Sequence, residues 1–186
     1  MRIVYSRPDG GVSVLIPAEG ARLASAVIID GKRHILDAAK PVDTVFRRWP
    51  VEGVIAEWAE TESEFLARIA IKDVPADATN AQIVDVSAIP VDRSFRNAWE
   101  IVAGGRIEHD MGKCREIHKD RLRAIRAPKL VALDIEYQRA DEDGDVQRKQ
   151  AVAAKKRALR DVTVDPRIQA AQTPEELKAV IPEALL

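Results

Sequence analysis

The residues best suited to chemistry are a single cysteine and the histidines near it. Cys114 and His118 are four positions apart, which on a helix is the spacing of two metal ligands, or of a thiol and its base. His109 or Glu108 would supply a third ligand if the chain turned back. The sequence has no second cluster of cysteine and histidine, and Cys114 falls in an apolar stripe where a small hydrophobic residue would serve equally well. We therefore expect no metal site and no cofactor.

The other polar residues do not form a catalytic pattern either. Nothing in the sequence indicates an oxyanion hole or a group that would orient a base beside the thiol, and no serine lies in a nucleophile-elbow motif. The acidic residues of 141–145 lack the distal glutamate of a calcium loop, so they indicate a solvated turn. Gly10-Gly11 and Gly104-Gly105 fit turns and do not match a phosphate-binding loop. The sequence thus predicts a protein that is not an enzyme and has no catalytic residues.

The cysteine and two of the histidines lie at the start of two long charged helices that are predicted to fold back on one another. Asp110 is expected to cap the first helix, and Gly144 to lie at the reversal before a second helix that ends near Asp161. Pro128 predicts a kink in the first helix, or a break and restart just before it. Steps of three, four and five place the apolar residues of this helix on one stripe, formed by Cys114, Ile117, Leu122, Ile125, Leu130, Leu133 and Tyr137.

Three β-hairpins are predicted elsewhere in the chain, each around a glycine turn. Asp-Gly between β-branched runs is a strong hairpin signal, because glycine accepts the positive φ that the turn requires. Such turns occur at Asp9-Gly10 and Asp30-Gly31, and the third hairpin turns at Gly104-Gly105. The predicted strands are residues 3–5 and 12–16, then 27–29 and 34–36, then 99–102 and 106–109.

Shorter elements complete the prediction. Thr61 and Glu64 have the capping-box spacing, which predicts a helix near 62–71. A strand is expected at 82–86, and Thr173 followed by proline predicts a final helix that ends before Pro182. Most of the aromatic side chains fall in residues 42–60, where we expect them in the core and between elements; they are Phe46, Trp49 and Trp58.

These elements indicate an α+β fold with two modules. Residues 1–90 form a β-hairpin-rich module with the one short helix near 62–71. Residues 91–186 begin with a β-hairpin that leads into a helical hairpin and a short terminal helix.

Composition narrows the class of protein. The chain has 186 residues, 46% hydrophobic and 32% charged, which is ordinary for a globular protein. A net charge of -1 gives no overall attraction to nucleic acid or to anionic membranes. The single cysteine excludes an intrachain disulfide, and no apolar run approaches the length of a membrane span. We expect a soluble protein that stays inside the cell in which it is made.

The two long helices also carry many basic residues, which leaves one alternative open. Basic helix faces can bind phosphate backbones, so the alternative function is a nucleic-acid-binding accessory protein. Acidic residues are interleaved with the basic ones, for example Glu116 and Asp120 among the lysines and arginines of the first helix, and stacking aromatics are lacking. Solvated helix faces with internal ion pairs are the better interpretation.

Several segments together resemble small proteins encoded among the tail genes of tailed bacteriophages and prophages. The pattern of its helices is similar to that of phage tail assembly chaperones and tail-fibre assembly proteins, although the tryptophan-rich C-terminal segment of many such chaperones is absent. The segments that carry the resemblance are residues 92–100 (DRSFRNAWE), 116–123 (EIHKDRLR), 130–134 (LVALD), 156–161 (KRALRD) and 173–178 (TPEELK).

This resemblance implies a non-enzymatic structural or assembly protein whose helical module binds a phage tail or tail-fibre protein, or a further copy of itself. It implies a location in the host-cell cytoplasm, and leaves open whether the protein is an assembly factor or is retained in the virion. It implies no binding to a membrane. The predicted partner-binding residues, for which the competing interpretation is intramolecular core, are Trp99, Ile117, Leu122, Ile125, Leu130, Leu133 and Tyr137.

Overall fold

The chain divides into two compact units, and the computed structural model describes residues 1–18, 21–29, 32–41, 55–58 and 60–186. The β-rich unit comprises Met1–Val91 and Glu100–Glu108, and the helical unit comprises Asp92–Trp99 and His109–Leu186. The described residues contain eight strands: β1 (Arg2–Ser6), β2 (Val12–Leu15), β3 (Leu23–Ile29), β4 (Lys32–Pro41), β5 (Ile55–Trp58), β6 (Thr79–Val84), β7 (Trp99–Ile101) and β8 (Ile107–His109). They also contain five α-helices: α1 (Glu62–Asp73), α2 (Met111–Glu142), α3 (Val146–Asp161), α4 (Pro166–Ala170) and α5 (Pro174–Ala179).

The first sheet of the β-rich unit confirms the first predicted hairpin. β1 pairs antiparallel with β2 and with β6, in the order β2-β1-β6. Gly10 has a φ of 78°, and its N–H donates to the Arg7 carbonyl at 2.9 Å. The Asp9 carboxylate accepts from the N–H of Gly11 at 2.9 Å, so the turn satisfies its own backbone groups.

Helix α1 covers this sheet and gives the unit its core. The Thr61 side chain accepts from the Glu64 N–H, and the Glu64 carboxylate accepts from the Thr61 N–H, which is the predicted capping box. Ile3 of β1 is fully buried and packs with three residues of α1, which are Phe65, Leu66 and Ile69.

An ion pair fixes the chain before α1. Arg68 of α1 donates to both carboxylate oxygens of Glu60, at 2.5 and 2.9 Å, and to the Ala21 carbonyl at 2.9 Å. Glu60 also accepts from the Leu23 N–H at 3.0 Å. The Arg68 guanidinium lowers the pKa of the Glu60 carboxyl, because it stabilises the charged form.

The second predicted hairpin is also present. β3 pairs antiparallel with β4, with Val27 opposite His34, and β5 lies on the other side of β3. The predicted turn at Asp30-Gly31 and the side chains of Phe46, Trp49 and Trp58 lie outside the described residues.

The third predicted hairpin, β7–β8, is present and contributes residues to both units. Gly104 and Gly105 have φ values of 80° and 77°, and the Val102 N–H donates to the Arg106 carbonyl at 3.0 Å. A side chain at Gly105 would clash with Gln82 and Val84. At position 105, glycine therefore both adopts the positive φ and leaves room for the side chains of Gln82 and Val84.

The helical hairpin has the predicted reversal. Asp110 caps α2 by accepting from the Lys113 N–H at 3.1 Å. After α2, Gly144 adopts a φ of 65°, and Asp145 caps α3 by accepting from the Arg148 N–H at 2.9 Å. The Asp145 N–H donates back to the Ala140 carbonyl at 2.9 Å. The turn thus satisfies the free groups at both helix ends.

Pro128 does not break the helix, so one of the two predicted outcomes at this position is wrong. Helix α2 runs as one element from Met111 to Glu142. Proline has no N–H, so Pro128 cannot donate to the Ala124 carbonyl. Pro128 and Ala124 are both exposed, so water can donate to that carbonyl. Leu122 and Leu130 pack into the core on either side of the proline and hold the two halves in line.

The C-terminal segment packs on the first half of α2 and closes the core. This segment consists of α4, α5 and a final turn at Glu183–Leu185. Thr173 caps α5 as predicted, by accepting from the Glu176 N–H at 3.1 Å. The buried residues of this core are Phe95, Ala98, Cys114, Leu122, Leu159, Val162, Ile168, Ala171, Leu177, Val180 and Leu185.

Two details differ from the prediction. The strand expected at 82–86 is Thr79–Val84, because Asp85 accepts from the Ser87 N–H and starts a 3-10 turn. Helix α4 was not predicted because it has only five residues, although Asp165 caps it and Pro166 occupies its first turn. The antiparallel strands and the long helices confirm the α+β class. Within the described part of the chain, no helix is both long and apolar enough to cross a membrane.

Replacing Pro128 with alanine is expected to stabilise the helical unit. Proline costs about 3 kcal/mol in a helix interior, and its restriction of the unfolded chain returns about 1 kcal/mol, so the free energy of unfolding should rise by about 2 kcal/mol. Urea denaturation followed by circular dichroism at 222 nm measures this. Pro174→Ala is the control: that proline occupies the first turn of α5, where it suits the helix, and no gain is expected. Unchanged or lower stability of Pro128→Ala would contradict the account.

Candidate functional site

The cysteine that could do chemistry lies in the core of the helical unit. Cys114 is fully buried beside Phe95, Leu122 and other apolar side chains. Burial raises the pKa of the Cys114 thiol to about 11, because the thiolate would lose its hydration. This residue has the surroundings of a small core hydrophobe and not those of a nucleophile.

The two nearby histidines are each held by a hydrogen bond. His118 is buried, with its Nε2 at 3.0 Å from the Val180 carbonyl. His109 accepts a hydrogen bond at its Nε2 from the Trp99 indole N–H, at 3.1 Å. Among the residues that the structure describes, no group of three or more histidine, cysteine, aspartate or glutamate side chains could hold a metal ion.

The predicted partner-binding residues lie mostly against their own unit. Trp99 and Leu122 are buried, and Ile117, Leu130 and Leu133 are partly buried against the core. Lys149 and Lys156 place their ammonium groups over the Tyr137 ring, at 5.3 and 4.9 Å from its centre. Of the predicted set, Ile125 alone is largely exposed, with 51% of its surface open to solvent.

An apolar groove lies between α2, α3 and the C-terminal turn. Its volume is about 420 Å³. We call it the hairpin groove. It is lined by Lys129, Ala132 and Leu133 of α2, by Lys155, Ala158 and Leu159 of α3, and by Ala184.

The packing of the hairpin explains this groove. Leu159 is buried and Leu133 is partly buried, so they form the floor. Ala132 and Ala158 are exposed and small, so they leave room for another element to approach closely. Apart from Lys129 and Lys155, the residues that line the groove are alanines and leucines, so it is suited to binding an apolar surface.

Two lysines give the hairpin groove a positive edge. The Lys129 ammonium donates to the Leu185 carbonyl at 2.6 Å, which holds the C-terminal turn beside the groove. Lys155 is exposed, and its side chain has no ion pair or hydrogen bond to any residue in the described part of the chain. No ion pair within the described residues therefore has to break before the Lys155 ammonium can bind a ligand.

Many other basic residues of the two helices are in ion pairs. Examples are Lys119 with Glu116 at 2.8 Å and Lys156 with Asp134 at 2.5 Å. Arg126 instead donates to the Arg160 carbonyl at the end of α3, at 2.6 Å. These contacts support the interpretation of the charged faces as solvated surfaces with internal pairs.

The sequence prediction missed exposed apolar residues of α2 that lie outside the predicted stripe. Val131 and Ile135 are 61% and 48% exposed, and Pro128 is exposed as well. A signal was present, because residues 124–135 are apolar around nearly the whole helix, and not on one stripe.

Comparison with known proteins gives no match. No protein-family model, no curated protein sequence and no solved structure matches this chain.

The stability of the helical unit is expected to fall in mild acid because of His118. Burial lowers the pKa of His118, and the charge of Arg121 lowers it further, while the bond to the Val180 carbonyl opposes the shift. In the unfolded chain the histidine takes up a proton below about pH 6.5, whereas the folded state resists protonation. Stability is therefore full above that pH and declines below it, by at most about 1.4 kcal/mol per pH unit.

Urea denaturation at several pH values between 5 and 7.5 tests this. His118→Gln keeps a donor for the Val180 carbonyl but cannot titrate, so its stability should be lower overall and should vary less over this range. An equal pH dependence in the two proteins would show that another group is responsible.

Proposed function

We propose that the protein is a non-enzymatic binding protein that docks a helix of another protein in the hairpin groove. The observation that carries this is the groove itself, with a floor of Leu133 and Leu159 between the small, exposed side chains of Ala132 and Ala158. Filling it with one leucine-sized side chain would contribute about 1.5–3 kcal/mol. A helix that packed in the groove would extend the core of the helical unit.

The groove favours a helix with an acidic edge. A third helix packs against two others at an axial distance of about 8–10 Å, and Ala132 and Ala158 permit that approach. Lys155, which has no partner in the described residues, lies beside the path of such a helix. A carboxylate on the partner would complement this charge and fix the register of the helix.

The resemblance to phage tail-region proteins supplies the class of partner. We propose that the partner is a tail or tail-fibre protein encoded near this one, and that binding takes place in the host cell during assembly. Two of the segments that carry the resemblance lie beside this groove, since Leu133 belongs to residues 130–134, and Ala158 and Leu159 belong to residues 156–161.

Blocking the groove should abolish docking without unfolding the protein. Ala158→Arg adds a long charged side chain at an exposed helical position, so the fold should persist while binding weakens at least tenfold, or about 1.4 kcal/mol. The measurement is calorimetric titration, or size-exclusion chromatography with light scattering, using the purified products of the neighbouring tail genes. Ala127→Arg is the matched control, because Ala127 is likewise an exposed helical alanine, on α2, but it lies outside the groove.

Lys155→Glu tests the charge separately. We expect weaker binding that improves with added salt, because like charges would then face one another. If none of the neighbouring tail proteins binds, or if Ala158→Arg binds as well as Ala127→Arg, the proposal fails.

A further inference from the structure

A second apolar recess lies at the C-terminal end of α3 and adjoins the hairpin groove. We call it the end recess. Its volume is about 320 Å³, and its apolar lining includes Val162, Val164, Pro166 and Pro182. The hairpin groove and the end recess are both lined by Ala158 of α3. A helix that fills the groove can therefore extend across Ala158 into the end recess.

Two acidic residues line the end recess, and one of them has no partner within the described residues. The Asp165 carboxylate accepts from the Arg167 guanidinium at 2.7 Å and from the Arg167 N–H at 2.9 Å. Asp161 is exposed, and its side chain makes no ion pair or hydrogen bond in the part of the chain that the structure describes. Lys155, beside the hairpin groove, is in the same condition. Neither charge has to leave such a contact before it binds a ligand.

These two unpaired charges lie on either side of Ala158. Lys155, Ala158 and Asp161 follow one another at steps of three, so they form one row on the surface of α3. Residues three apart on a helix have Cβ atoms about 5–6 Å apart, so the two charges are about 10–12 Å from one another. The row is therefore positive at the groove, negative at the end recess, and small in the middle, where another helix can approach closely.

We propose that the helix docked in the hairpin groove carries an acidic and a basic residue two turns apart, the acid beside Lys155 and the base beside Asp161. This inference rests on the proposed function and adds the charge pattern of the partner. Seven residues of an α-helix rise about 10.5 Å, which matches the separation of the two charges. The same helix docked in the opposite direction would place like charges together at both ends. The row on α3 thus selects the direction of the partner helix as well as its charges.

Synthetic helical peptides test this charge pattern on the full chain. Each is alanine-rich and about 18 residues long, which is sufficient to form a helix, and has one central leucine for the groove floor. The bipolar peptide has glutamate and arginine seven positions apart on the leucine face, and the neutral peptide has glutamine at both positions. Fluorescence anisotropy of the labelled peptides measures binding. We expect the bipolar peptide to bind roughly fivefold more tightly, with an advantage that shrinks in added salt.

Asp161→Lys tests the negative end of the row. The Asp161 side chain makes no capping hydrogen bond, and lysine suits the last turn of a helix, so the fold should persist. We expect the bipolar peptide to bind roughly threefold more weakly, and a peptide with glutamate in place of its arginine to recover that loss. Glu142→Lys is the matched control, because it makes the same charge change at an exposed residue that ends α2 and lines neither recess. Circular dichroism would show that both variants keep the wild-type helix content.

Ala158→Arg separates this inference from the proposed function. If it blocks both peptides, but the two bind equally or Asp161→Lys behaves like Glu142→Lys, a helix docks in the groove and the charge pattern is wrong. If it leaves peptide binding unchanged, or if neither peptide binds, the charge pattern is overturned, and the titrations with tail proteins decide the proposed function separately. Self-association of the chain that Ala158→Arg abolishes would identify a second copy as the occupant and overturn the proposal too. Tighter binding of the bipolar peptide, lost in Asp161→Lys and recovered by the glutamate peptide, would support it.

Discussion

The packing of the C-terminal segment on the first half of α2 is the contact on which the helical unit depends. Ile168, Leu177 and Val180 are buried there, and Lys129 holds the final turn through the Leu185 carbonyl. This contact gives the first half of α2 neighbours on several sides. Ala184 of the final turn lines the hairpin groove together with Ala132 and Leu133 of α2. In the same stretch of α2, Val131 and Ile135 are 61% and 48% exposed. The hairpin groove thus lies where α2, α3 and the C-terminal turn meet.

Much of this architecture could be predicted from local signals. Asp110, Asp145 and Thr173 each accept hydrogen bonds from the first turn of a helix, as expected from side chains that can replace missing backbone partners. Gly10, Gly104 and Gly144 have positive φ values at the turns where the sequence places them. These features depend on a few neighbouring residues, so the sequence contains what is needed to infer them. The result at Pro128 depends instead on Leu122 and Leu130, which pack against elements distant in the chain, and sequence periodicity does not reveal such support.

The candidate site was harder to predict, for a related reason. A stripe of apolar residues predicts that one helix face is covered, but it does not tell whether the cover comes from the same chain or from another. Leu130 and Leu133 were candidates for partner binding, and in the structure both pack on the core of their own unit. Val131 and Ile135 fall between the positions of the stripe, yet they are more exposed than Leu130 and Leu133. Which of these residues are exposed depends on where the C-terminal segment packs, and that is a property of tertiary structure.

The ion pairs within the helical hairpin limit what its two helices can bind. Most ion pairs of the hairpin join neighbouring turns or the two helices, as Lys119 does with Glu116 and Lys156 with Asp134. Each such exposed pair contributes little to stability, at most about 1 kcal/mol, but it neutralises a basic residue that a phosphate backbone would need. Lys155, whose side chain has no such pair among the described residues, lies beside the groove. In the proposed complex its charge would set the orientation of the docked helix, while the apolar contacts would supply most of the affinity.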